Sequence, residues 1–89
     1  MKSPKEKAKE LVDKYRTYIR MADKYNYLLD EDEVYIAKQC ALKEVDAIMI
    51  ALEEYDDRNK TYELQNMDRD FNYYSEVKKE IENYEQNQQ

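Results

Sequence analysis

The 89-residue chain has no glycine, no histidine, one proline and one cysteine. Each scarcity removes a class of structure or chemistry. Without glycine there is no P-loop and no dinucleotide-binding turn, because both close a bare backbone tightly around phosphate. Hairpin turns also depend on Gly and Pro, and the one proline, Pro4, stands close to the N-terminus. A β fold is disfavoured, while the good helix formers Glu, Lys, Ala, Leu, Gln and Arg abound. Without histidine there is no Ser-His-Asp or Cys-His nucleophile pair and no His-containing zinc site. The Glu-x-x-His pairs of di-iron bundles are excluded by the same lack. Cys40 alone forms neither an internal disulfide nor a thiolate-only zinc site, and it is expected to be a small core residue. Long apolar runs are missing too. The longest, residues 47–52, falls far short of the ~20 needed to cross a bilayer. No segment has a signal-peptide pattern, and the expected location is the cytoplasm.

What the chain does hold is charge and tyrosine. Its net charge of −6 is unevenly placed. Residues 1–29 carry eight Lys/Arg against four Asp/Glu, a net of +4, whereas residues 30–70 carry five against thirteen, a net of −8. An acidic chain is poorly suited to grip phosphates. The basic first segment is equally able to lie against the acidic middle. Ten tyrosines suit the boundary of a thin core, since a phenol buries its ring while its hydroxyl keeps a polar partner.

Three helices are expected. Ser3-Pro4-Lys5-Glu6 forms a capping box with proline at the first helical position. The stripe Ala8, Leu11, Tyr15, Tyr18, Ala22, Tyr25 and Leu29, widened by Val12 and Ile19, then predicts an amphipathic helix over about 4–28. Glu10 stands four residues before Lys14, a favourable ion-pair spacing. Asp30-Glu31-Asp32-Glu33 signals a second start, with Asp30 as cap and Glu33 reaching back. The stripe Val34, Ala37, Ala41, Val45, Ile48, Leu52 and Tyr55 follows, with further apolar residues around the barrel. This predicts a central helix over about 31–56, buried on more than one side. The next stripe, Met67, Phe71, Tyr74, Val77, Ile81 and Tyr84, is out of phase with it. The break predicts a turn within about 57–66, with Asn66 capping a third helix over 67–85 and residues 86–89 as a frayed tail. The expected fold is a single-domain, all-α, three-helix antiparallel bundle over residues 1–89. The alternative is a helical hairpin with a long bent second helix, completed by oligomerisation.

The motifs Lys7-Ala8-Lys9-Glu10-Leu11, Ala37-Lys38-Gln39-Cys40-Ala41-Leu42 with Val45, Asp46 and Ile48, and Tyr73-Tyr74-Ser75-Glu76-Val77-Lys78-Lys79-Glu80-Ile81 carry a resemblance. Together they resemble a group of small, uncharacterised helical proteins of Bacteroides phages, crAss-like phages and related mobile elements. The likeness touches all three helices. The chain departs from the group in having Tyr74 where a tryptophan is usual, and in its extra tyrosines. The resemblance implies a phage-type accessory protein acting in the cytoplasm of a bacterial host, with a virion role also open, and it carries over no catalytic motif.

No enzyme activity, cofactor or metal is expected. The acids Glu44, Asp46, Glu53, Glu54, Asp56 and Asp57 are the one set that a magnesium-dependent nucleotide hydrolase would call on, but no matching acidic stripe faces them. Tyr27, Tyr35, Tyr62 and Tyr73 lie off the helix stripes and, with Glu53, Glu54, Asp56 and Asp57, form the candidate interaction surface. The favoured function is a helical protein–protein interaction module that self-associates and engages a bacterial host protein. The alternative is an acidic inhibitor of a host nucleic-acid-binding defence protein. Direct DNA binding ranks lower and requires Lys5, Lys9, Arg16 and Arg20 on one exposed face.

Overall fold

Helix formation begins where the capping residues stand. In the computed structural model, which describes residues 2–58 and 64–84, helix α1 runs Pro4–Ala22. The Ser3 hydroxyl accepts from the Glu6 N–H at 3.2 Å, and the Glu6 carboxylate accepts from the Ser3 N–H at 3.4 Å. The box satisfies two amide donors that the first turn leaves unpaired. Ser3→Ala is therefore expected to lower stability by about 1 kcal/mol, read as a shift of the urea midpoint at constant slope.

α1 stops six residues before the predicted end at 28, and aspartate chemistry is the reason. Asp23 occupies the C-cap, its N–H donating to the Ile19 carbonyl at 2.8 Å. Its carboxylate then accepts from the Tyr27 and Leu28 N–H groups at 3.1 and 3.0 Å. Asn26 takes φ 55°, a left-handed conformation that asparagine tolerates better than most residues. The apolar spacing that carried the expected helix on to Tyr25 and Leu29 instead leaves both exposed.

Helix α2 spans Asp30–Arg58. The Leu29 carbonyl accepts from the Glu33 N–H at 3.0 Å, so Leu29 holds the cap position and Asp30 lies inside the first turn. The four acids of that turn face the positive end of the helix dipole. Helix α3 spans Leu64–Glu82, beginning three residues before the expected start, which puts Asn66 within its first turn rather than at its cap. Residues 59–63 and the tail 86–89 lie outside the described residues.

Cross-links between side chains give the topology. Lys14 meets Glu44 while Arg20 meets Glu33, which sets α1 antiparallel to α2. Lys78 meets Asp46 at 3.0 Å while Lys38 donates to the Glu82 and Tyr84 carbonyls, which sets α3 antiparallel to α2. The Tyr73 hydroxyl donates to the Lys2 carbonyl at 2.8 Å, beside the start of α1. The chain is an up–down–up three-helix bundle, and the bent-rod alternative is excluded. Each helix packs on both others, so α2 is not sandwiched: Ala47, Ile50 and Ala51 on its outer side are exposed.

The core is narrow. Ala8, Leu11 and Val12 of α1, Ala37, Ala41 and Val45 of α2, and Val77 and Ile81 of α3 are buried together. The alanines let the helix backbones approach closely. Tyr15, Ile19, Leu42, Met49, Tyr73, Tyr74 and Tyr84 wall this cluster. The bundle is long for its width, 52 × 23 × 17 Å. Because α2 is 29 residues against 19 for each neighbour, three helices overlap only through the middle.

Candidate interaction surface

Part of the charge asymmetry is paired inside the molecule, while Asp30, Glu31 and Asp32 stay exposed. Arg16 is 8% exposed and Glu33 6%, and the Arg16 Nε donates to Glu33 Oε1 at 2.9 Å. Arg20 reaches the same oxygen at 2.8 Å from a more exposed position. Burial works against charge on Glu33, but the two guanidinium donors outweigh it and hold the carboxyl below its ordinary value. The Glu33 side chain thus binds α1 to α2 rather than capping its own helix, which corrects the expected role. Eleven residues on, Glu44 repeats the device. Its Oε1 accepts from Lys14 and from the Tyr15 hydroxyl, each at 2.7 Å. Burial of Glu44 is again outweighed by these bonds, and its carboxyl is also held low. Lys14 was expected to pair with Glu10. It crosses to Glu44 instead, while Glu10 takes Lys7 and Lys2.

These pairs bear directly on the α1 cations. Arg16 is buried, Arg20 is tied to Glu33, and Lys9 is paired with Asp13 at 2.7 Å. The exposed cationic face that direct DNA binding requires is not formed. Among the described residues no three His, Cys, Asp or Glu side chains converge in a way that could hold a metal ion. A cleft of about 240 Å³ lies between the start of α1 and the end of α3, against Ser3, Ala8, Glu80 and Tyr84. It is smaller than the usual 300–1,000 Å³ of small-molecule sites. Cys40 is half-buried. No described helix is long and apolar enough to cross a membrane.

The candidate surface residues do not form one site. Tyr27 and Tyr35 are exposed at the α1–α2 end. Glu53 and Glu54 are exposed toward the other end of α2, some 18 residues further on or ~27 Å along the axis. Tyr73 lies in the wall of the core, edge-on to Tyr74 at 5.1 Å, and burial raises its hydroxyl pKa. The side chains of Asp56 and Asp57, and Tyr62 altogether, lie outside the described residues.

A different grouping emerges around Tyr27 and Tyr35. Nine large apolar side chains are exposed among the described residues, and eight of them fall between positions 18 and 36. They include Tyr18 and Tyr25, which the helix stripe had assigned to the core boundary, with Met21 and Leu29. Their exposure has one architectural cause. α3 ends at Glu82, level with Lys38, so among the described helices the last turns of α1 and the first turns of α2 have only each other to pack on. The rings of Tyr25 and Tyr27 stack at a tilt with centroids 5.7 Å apart. Asp23 and Asn26 hold the backbone beneath them. Sequence reasoning missed Arg16 and Glu33, yet a signal was present. Arg16 stands in phase with Val12 and Ile19, and Glu33 in phase with Ala37 and Ala41, so each is a charge on an apolar stripe.

Compared with protein-family models, with curated proteins and with solved structures, the chain matches none.

Proposed function

We propose that this chain is a non-enzymatic helical module that works through protein–protein contact. The observation that carries the reading is the concentration of exposed tyrosine, methionine and leucine at one end of a thin bundle. A monomer's largest apolar patch is commonly about 300–600 Å², and patches of that size are often functional. Tyrosine is also the residue type that interfaces favour. The resemblance to small helical proteins of Bacteroides phages and related elements supports an accessory role inside a bacterial host.

The acidic-inhibitor reading draws on the acids that stay exposed, Asp30, Glu31, Asp32, Glu53 and Glu54. Glu33 and Glu44, two acids of the strongly negative middle, are occupied by α1 cations and cannot mimic phosphates. The test is affinity capture of the tagged chain from a Bacteroides lysate, with mass spectrometry and light scattering of the eluate. A defined oligomer or one stoichiometric host protein is the expected result. A monomer that recovers no partner would overturn the reading.

A further inference from the structure

We infer that a second copy of this chain docks on the open α1–α2 end, forming a two-fold dimer; this rests on the interaction-module reading above. The site is the end that α3 fails to cover, presenting Tyr18, Met21, Tyr25, Tyr27, Leu29 and Tyr35. Residues 85–89, which follow the last described position, are Glu, Gln, Asn, Gln and Gln, with no apolar side chain among them.

Three observations select a second copy as the occupant. The first is charge. A two-fold interface must be complementary to itself, because one patch meets the same patch inverted. In the sequence Lys24 precedes Tyr25, Tyr27 and Leu29, and Asp30, Glu31 and Asp32 follow them, all exposed. Among the described residues none of these four charged side chains takes part in an ion pair. A two-fold axis through the cluster brings Lys24 of each copy toward the acids of the other.

The second observation is area. A tyrosine ring contributes about 150–250 Å² when covered, so four largely exposed tyrosines offer on the order of 500 Å² before Met21 and Leu29 are added. That approaches the ~800 Å² per partner of a standard interface. The third is order. Asp23 bonds to two successive amides, and the paired Tyr25 and Tyr27 rings make the connection a shaped platform. A platform already in its bound form loses little entropy on docking.

Sedimentation velocity on the full chain, from micromolar to millimolar concentration, tests the inference. The expected result is a reversible monomer–dimer equilibrium. Leu29→Lys and, separately, Tyr27→Lys should each raise the dimer Kd at least about tenfold while circular dichroism stays unchanged, because both side chains are exposed. Lys24→Glu should weaken the dimer too, and Lys24→Glu combined with Asp32→Lys should restore it. A wild-type chain that stays monomeric to millimolar concentration overturns the inference, whatever the lysate capture recovers. A dimer that Leu29→Lys and Tyr27→Lys both leave unchanged also overturns it, while the module reading then stands on another surface.

Discussion

Glu33→Ala is expected to lower the unfolding free energy by about 3–5 kcal/mol, because it strands a buried guanidinium. A chain of this length holds roughly 5–13 kcal/mol in all, so the loss is about a quarter of the total or more. The reasoning starts from position. Arg16 and Glu33 lie where the two-helix end begins and the apolar core has run out. Their pairing there is a buried contact between the last turns of α1 and the first turn of α2. Arg20 adds less, since it is 60% exposed and solvent screens it. Urea denaturation at neutral pH measures the effect. Arg16→Met combined with Glu33→Leu should recover most of the loss, because an apolar pair of similar volume needs no desolvated charge. A Glu33→Ala cost below about 1 kcal/mol would mean that the pair is solvated and the end of α1 undocked.

The same pair gives the acid limb of the stability profile its sign. Glu33 and Glu44 are held below the ordinary carboxyl value of 4.5 when folded. On acidification the unfolded chain therefore takes up protons first. Their contribution is complete above pH 4.5 and is lost as the pH falls through the lower, folded values. Glu33→Gln should flatten this limb. At the alkaline end the Glu44 bonds raise Lys14 above 10.5 and Tyr15 above 10.0, so that contribution is lost as the pH climbs beyond those values.

Why the helix stripes located the core but misjudged the surface follows from what periodicity measures. A stripe reports the phase of burial along one helix. Ala37, Ala41 and Val45 were placed correctly because they join the cluster that all three helices share, and Val34 because α1 alone covers it at 7% exposure. Tyr18 obeys the same phase as Leu11, but it lies beyond the end of α3, where nothing arrives to cover it. Tyr73 errs in the other direction. It is off the α3 stripe yet packed, because α3 touches two neighbours and so buries a wider arc than one stripe spans. The start of α1 was legible in Ser3, Pro4 and Glu6, since capping is local chemistry. Its end was not, because Asp23 competes for backbone amides against an apolar spacing that continues regardless. The proposed interaction surface was legible only in Tyr27 and Tyr35. The residues that join them are exposed by relative helix lengths, a property of the assembled bundle and of no single segment.

Relative helix length also governs the second large effect. Ile81 is the largest buried side chain that α3 contributes, and it has no exposed surface. It belongs to a fully packed cluster of Ala8, Leu11, Val12, Ala37, Ala41, Val45 and Val77, most of them small residues. Ile81→Ala is expected to cost about 2–5 kcal/mol, from lost transfer energy plus an unrelaxed cavity. In a domain of this size that lowers Tm by on the order of 10 °C or more. Ile81→Val should cost only about 0.5–1.5 kcal/mol. The decisive comparison is Ile50, an isoleucine on the outer side of α2 that is 55% exposed. Ile50→Ala should fall within about 0.5 kcal/mol of the wild type, because it opens no cavity. Thermal and urea unfolding of the three variants, at one protein concentration, read the series directly. If Ile50→Ala proved as costly as Ile81→Ala, the outer face of α2 would have to be covered in solution. The bundle would then be one part of a larger helical assembly, closed along its length as well as at its end.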